Sequence, residues 1–203
     1  SLIRFSKSIP SYIKVSDSTY LGENSENLPL KIIKGKNPLG RTLILYPGAS
    51  PTAEKHPSMI FLGSVLANIG FSVYIPRIPP LKDLNISEEN VAYFQKVYEE
   101  LLKRDDIKNT KVSCVGVSYG GALLLKSSLS GPMAIHPPHS MVTYGTIYDV
   151  QTSLDFVMTG KLIIKGEEVS IKPHEWGVVV CFHNFLPSID VGYDTAHIQK
   201  VLK

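Results

Sequence analysis

The residues with the clearest capacity for chemistry are Gly116-Val117-Ser118-Tyr119-Gly120. An apolar run at residues 111–115 precedes them, and a leucine-rich run at 121–129 follows. Strand, then G-x-S-x-G, then helix is the order of a tight turn that lifts a serine hydroxyl above a strand end. Glycine on both sides leaves room for the chain to pass, and the turn strains the serine backbone. The new helix aims its first amide N–H groups at the same spot, where negative charge is favoured. A serine hydroxyl attacks a carbonyl when a base takes its proton and donors stabilise the oxyanion. The spacing therefore points to a nucleophile at Ser118. The plainer reading is a serine in a structural turn, since Gly120-Gly121 also suits close helix–sheet packing.

The base is harder to find among six histidines. His56 precedes the serine at an expected helix start, and His136 and His139 flank Pro137-Pro138 in a loop. His174 and His183 lie in the C-terminal tail. His197 alone sits near the C-terminus with acids just upstream, Asp190 and Asp194. Asp149 follows an expected strand and reads either as an acid or as a helix N-cap.

These side chains need a scaffold. Residues 11–34 suggest an opening antiparallel hairpin with a polar turn at 22–27. Residues 42–46 and 71–75 are continuous apolar runs, the pattern of strands buried on both faces. Met59, Leu62, Leu66 and Ile69 recur at helical spacing, and Gly70 is placed to close that helix. Ser87 is a plausible N-cap for a helix reaching Arg104, with Val91, Phe94, Tyr98, Leu101 and Leu102 on one face. Residues 141–145 form a fourth parallel strand. Strands alternating with helices imply a mostly parallel α/β sheet with right-handed crossovers and helices on both faces. After Asp149 the alternation stops. The expected elements are a short helix at 154–158, a hairpin of 162–164 and 169–171 across Gly166-Glu167, a helix at 176–185, whose Gly-Val-Val-Val-Cys core also suits a strand but whose length and aromatic ends favour helix, and a last helix from Asp194 to Lys203. The division is a core over 1–150 and a cap-like tail over 151–203.

The stretch from about 30 to 150 resembles the α/β-hydrolase family. Leu45-Tyr46-Pro47-Gly48-Ala49 is similar to its strand-to-loop His-Gly-x site, with Pro47 where histidine is common. Residues 66–76 are similar to its helix-to-strand "L-A-x-x-G-x-x-V-x-x-P" stretch, and residues 116–120 carry its elbow. Tyr144-Gly145-Thr146-Ile147-Tyr148-Asp149 resembles the step into a cap in esterase-like members. The resemblance implies an oxyanion hole from the backbone N–H groups of Ala49 and Tyr119. It implies a triad in the order Ser118, acid, histidine, with the last two after two further strands. Asp149 and His197 are the candidates in this chain, but 149–203 offers no convincing pair of strands. The expectation is thus either a serine esterase or lipase whose remaining strands lie beyond Lys203, or a catalytically silent binding module on the same scaffold. Phe156, Val157, Met158, Trp176 and Phe182 suggest a lid over an apolar acyl group, or mere packing of the tail; a small-molecule ester is the expected substrate.

Composition removes other classes. A net charge of +3 with no Lys/Arg block longer than two gives no phosphate-tracking face, so no nucleic-acid partner is expected. No apolar stretch approaches the length of a membrane span. Residues 1–10 lack a long apolar leader segment, and the expected location is the cytoplasm. Cys114 and Cys181 are expected to be reduced thiols. No Cys/His spacing suits zinc, and the glycine patterns at 35–42 and 116–121 lack the context of a P-loop or dinucleotide site, so no cofactor or metal is expected.

Overall fold

The structure, a computed structural model, describes residues 9–147, 149–186, 190, 192, 194, 195, 197 and 198. The chain opens on strands β1 (Lys14–Leu21) and β2 (Asn27–Lys34), antiparallel with Lys14 opposite Lys34 and Leu21 opposite Asn27. There follow β3 (Arg41–Tyr46), α1 (Pro57–Asn68), β4 (Phe71–Pro76), α2 (Pro79–Lys82), α3 (Asn90–Leu102), β5 (Lys111–Val117), α4 (Tyr119–Ser127), α5 (Gly131–Ile135) and β6 (Ser140–Tyr144). Six strands form one sheet in the order β1-β2-β4-β3-β5-β6, and β4, β3, β5 and β6 run parallel.

Alternation along the central strands explains why both faces need helices. Leu43, Leu45, Val73, Ile75 and Ile33 pack with Met59 and Ala67 of α1 on one face. Ile44, Tyr46, Tyr74, Leu30 and Ile32 pack with Phe94, Val97 and Leu101 of α3 and Leu123 and Leu124 of α4 on the other. Each fully buried Leu, Ile or Phe contributes about 1.5–3 kcal/mol relative to exposure. Tyr46 stacks on Phe94 with ring centroids 4.5 Å apart, and its hydroxyl donates to the Phe94 carbonyl at 3.2 Å, so the buried phenol is satisfied. Cys114 is buried in this core, and both cysteines are free thiols.

At the N-terminal end of the parallel strands, Asp106 accepts from the Tyr74 hydroxyl at 2.8 Å, Arg104 Nε at 3.0 Å and Lys34 Nζ at 3.2 Å. Burial pushes this carboxyl up, but the three donors outweigh it and hold its pKa at about 2. A depressed folded-state pKa contributes stability that is present above the unfolded value of about 3.9 and lost as pH falls through the folded value. Urea titrations of Asp106→Asn should therefore show lower stability at pH 6 and a flatter decline between about pH 4 and pH 2 than the parent.

Several boundaries differ from the sequence reading. Helix α3 begins at Asn90, three residues past Ser87, because residues 87–92 first form a tighter lead-in of Asn90, Val91 and Ala92 N–H groups bonding Ser87, Glu88 and Glu89 carbonyls. Ser87 still accepts from Glu89 N at 3.2 Å. The short helices α2 and α5 each carry proline at the first or second position and were masked by it in a periodicity reading.

The tail contains α6 (Val150–Thr159), β7 (Lys161–Ile164), β8 (Glu167–Ser170) and α7 (Glu175–Phe185). The β7–β8 hairpin forms a separate two-stranded sheet and turns at Lys165-Gly166, both at positive φ, one residue before the expected Gly166-Glu167. Among the described residues, no strand of the main sheet follows Tyr144. Most of the expected last helix from Asp194 to Lys203 lies outside the described residues.

Candidate active site

The topology itself selects the place for a site. Adjacent parallel strands β3 and β5 are followed by helices on opposite faces, α1 on one and α4 on the other. The two connecting loops must diverge, opening a crevice at the carboxyl ends of these strands, where ligands bind in open α/β sheets. Ser118 follows β5 directly, and Pro47-Gly48-Ala49 follows β3 directly.

Ser118 has φ 54° and ψ −132°, a conformation that costs a non-glycine residue about 1–3 kcal/mol. Its surroundings hold it there. The Ser118 N–H donates to the Tyr144 carbonyl at 2.8 Å, and its own carbonyl accepts from Gly121 N–H at 2.9 Å and from Thr146 Oγ1 at 3.0 Å. Three hydrogen bonds at about 1 kcal/mol each are enough to offset that strain. Ser118 is exposed, and among the described residues its hydroxyl makes no hydrogen bond.

The glycines around it are required by contact distance. A Cβ on Gly120 would lie 2.1 Å from the Pro47 carbonyl oxygen, and one on Gly116 would lie 2.6 Å from Gly121 Cα. Gly120→Ala should therefore push α4 away from the β3 loop and cost about 2 kcal/mol or more, read as a lower urea midpoint. On the other wall, a Cβ on Gly48 would sit 3.0 Å from Ser118 Cβ and 3.6 Å from Ser118 Oγ, which puts the loop backbone against the hydroxyl. Ala49 follows Gly48 and Tyr119 follows Ser118 in the chain, and among the described residues neither backbone N–H donates to a backbone carbonyl. For Tyr119 this follows from its place in the first turn of α4, where helix donors have no internal partner. The Tyr119 side chain turns toward α3, its hydroxyl donating to the Ser87 carbonyl at 3.1 Å.

The loop after β3 is braced from below. Ala53–Lys55 is a 3-10 turn with Ala53 at φ 47°. It delivers Glu54, whose side chain is 1% exposed, into a bidentate pair with Arg77: Nε to Oε2 at 2.9 Å and Nη2 to Oε1 at 2.7 Å. Arg77 follows the last residue of β4, and its carbonyl accepts from the Tyr20 hydroxyl. The hydrogen bonds to Glu54 hold the guanidinium pKa above its ordinary value. The sequence reading missed Glu54, Arg77 and Thr146. A pair separated by 23 residues on two irregular segments leaves no periodic trace.

The expected base and acid are placed less tightly. Asp149 is the N-cap of α6, its carboxylate accepting from Thr152 N at 2.8 Å, and that backbone hydrogen bond, ahead of Thr152's side chain, holds its pKa low. It comes five residues after Tyr144, the last residue of β6, which pairs with Val117 beside Ser118. His197 is exposed, in a helical position of the tail. His139 N–H bonds the Val112 carbonyl at the far end of β5, so about 20 Å of strand separates it from Ser118. His56 and His174 cap α1 and α7, their Nδ1 atoms accepting from Ser58 N and Trp176 N, each at 3.2 Å. The structure thus brings together Ser118, Tyr119 and the loop carrying Ala49; among the described residues, no histidine hydrogen-bonds the serine.

Of the five apolar tail residues, Phe156 and Val157 are partly buried, while Met158, Trp176 and Phe182 are exposed. A cleft of about 550 Å³ beside α7 is lined by Pro51, Lys82, Asp83, Leu84, Asn85, His183 and Asn184. Among the described residues there is no cluster of three metal-ligating side chains, and no helix is long and apolar enough to cross a membrane.

Against known proteins, no family model matches this chain and no curated sequence matches it. Solved structures do match. A dienelactone hydrolase from Anabaena variabilis is 16% identical with a TM-score of 0.52, over 66% of this chain and 64% of its own. An esterase from Pyrococcus furiosus is 15% identical with a TM-score of 0.55, over 72% of this chain and 54% of its own. A hypothetical protein from Pseudomonas aeruginosa is 12% identical with a TM-score of 0.56, over 87% of this chain and 64% of its own. The matched region therefore spans between about half and two thirds of each of these neighbours. At such identity the likeness is one of fold.

Proposed function

We propose that this chain, which has the α/β-hydrolase fold, is a serine hydrolase that cleaves carboxylic esters through an acyl-enzyme on Ser118. One observation carries the reading. A strained, exposed serine, its hydroxyl without a hydrogen bond among the described residues, stands at the mouth of α4, at the crevice where the sheet's connections diverge. A structural turn has no need to hold a serine at φ 54° with three hydrogen bonds when glycine would sit there without strain.

In this reading Ser118 Oγ bonds to the ester carbonyl carbon while its proton passes to the base. The carbonyl oxygen, now an oxyanion, takes hydrogen bonds from the Ala49 and Tyr119 N–H groups, each worth about 3 kcal/mol in the transition state. The C–O bond to the alcohol then breaks, and the alcohol leaves with the proton held by the base. Water repeats the sequence on the acyl-serine and releases the acid. His197 as base and Asp149 as acid enter the proposal on chain order, Ser, then acid, then histidine. The apolar tail residues Phe156 and Val157 favour an acyl group of low polarity.

A second reading is a binding module that keeps the scaffold without turnover. It is favoured by the lack, among the described residues, of a histidine hydrogen-bonded to Ser118. Labelling with a fluorophosphonate separates the two. An adduct on Ser118 by mass spectrometry supports the hydrolase; a chain left unmodified under conditions that label a known serine esterase supports the binding module.

A further inference from the structure

The tail is tied to the β3 loop at one point that the proposed chemistry uses. Trp176, in the first turn of α7, donates its indole Nε1–H to the Ala49 carbonyl at 3.1 Å, across 127 residues of sequence. The N–H of the same peptide unit, from Ser50, donates to the Leu81 carbonyl of α2 at 3.0 Å. Both polar atoms of the Ala49–Ser50 peptide are thus occupied, one by α7 and the other by α2. This fixes the rotation of the peptide next to the Ala49 N–H. Gly48, on its other side, is already against Ser118.

The other end of α7 is held as well. Asn184 Nδ2 donates to the Leu84 carbonyl at 2.7 Å, and Asn184 Oδ1 accepts from Ile86 N–H at 2.9 Å. Helix α7 therefore spans from the β3 loop to the segment after α2, with one polar tie near each end. Trp176 is 37% exposed, so core burial does not dictate its position; the indole hydrogen bond supplies the specific constraint. An alanine or leucine there would cover the loop but could not hold the carbonyl.

We infer that Trp176 is a positioning residue that sets the Ala49 amide as an oxyanion donor, so that seating of α7 and readiness of the donor pair are one event. The inference deepens the ester-hydrolase reading and rests on it for its kinetic consequence. A donor that matters only when charge develops acts on kcat and leaves ground-state binding alone. Displacing α7 for a bulky substrate would release the loop, and reseating it would restore the donor.

Trp176→Phe keeps the aromatic body and removes the N–H. With 4-nitrophenyl butyrate the expected result is a roughly tenfold fall in kcat with KM changed less than twofold. Hydrogen–deuterium exchange at the Ser50 amide, whose N–H is held by the Leu81 carbonyl, should quicken at least tenfold, while exchange in β3 and β5 stays unchanged and reports that the fold is intact. Asn184→Ala, which frees the far end of α7 and leaves the indole in place, serves as a second variant and should quicken the Ser50 amide less. Unaltered exchange at Ser50 in Trp176→Phe overturns the inference, whether or not the parent turns over ester. Quickened exchange with an unaltered kcat in an active parent also overturns it, because the loop would then be held without consequence for the donor. If the parent neither labels with fluorophosphonate nor hydrolyses ester, the hydrolase reading fails by itself, and exchange alone decides whether Trp176 positions this peptide.

Discussion

Ser118→Ala is expected to abolish fluorophosphonate labelling and to lower ester turnover by 10³-fold or more, on the order seen when a serine nucleophile is removed. Its stability should stay within about 0.5 kcal/mol of the parent, because the hydroxyl makes no hydrogen bond among the described residues and alanine inherits the same backbone strain. Ser118→Gly gives a control that does not depend on catalysis. Glycine ordinarily costs about 1 kcal/mol relative to alanine through unfolded-state entropy. At φ 54° and ψ −132° it also escapes strain of about 1–3 kcal/mol, so the usual ranking should reverse, with Ser118→Gly more stable than Ser118→Ala by about 1 kcal/mol. Both variants should be inert. Retained turnover in either removes Ser118 as nucleophile, and an alanine variant more stable than the glycine variant removes the strained turn.

Arg77→Ala should lower stability by about 3–5 kcal/mol, because it leaves the Glu54 carboxylate buried without its partner. The cost comes from the orphaned charge, so removing both charges is predicted to be milder. Glu54→Leu combined with Arg77→Met should recover most of the loss, since replacing a buried pair with apolar groups of similar size is often close to neutral. Urea denaturation of the two single variants and the double variant measures the coupling directly. The single variant should also lose activity beyond its loss of folded protein, because Glu54 lies five residues after Ala49 in the loop that Arg77 braces. A loss under 1 kcal/mol for Arg77→Ala would mean that water reaches this pair.

The elements visible in the sequence were those with strong local signals. Thr42 to Tyr46 and Phe71 to Ile75 read as buried strands because apolar residues on both faces leave no alternation to confuse. The opening hairpin was read from short β-branched runs around a polar turn, and α7 from the length and aromatic ends of an apolar run that also suited a strand. The hairpin of β7 and β8 was found but turned one residue late in the reading, since Gly166 accepts positive φ on either side of a turn and only strand pairing places Lys165 there with it. Helix α3 started late because Ser87 can head a tight lead-in as well as a cap. Of the candidate site, the turn at Ser118 and the loop after β3 could be singled out from motif and context, whereas Thr146, which bonds the Ser118 carbonyl, could not.

Local sequence by itself determined that a serine would stand on a strand-to-helix turn between glycines, because steric demand at a tight turn is written in consecutive residues. It also determined which strands would be buried, through apolar runs that only a two-sided core accommodates. Tertiary structure alone decided that Glu54 and Arg77 would brace the loop after β3, and that Trp176 would reach the Ala49 carbonyl. Those contacts join residues 23 to 127 positions apart. They depend on strand order and on the face each helix takes, and neither is encoded in the spacing of nearby residues.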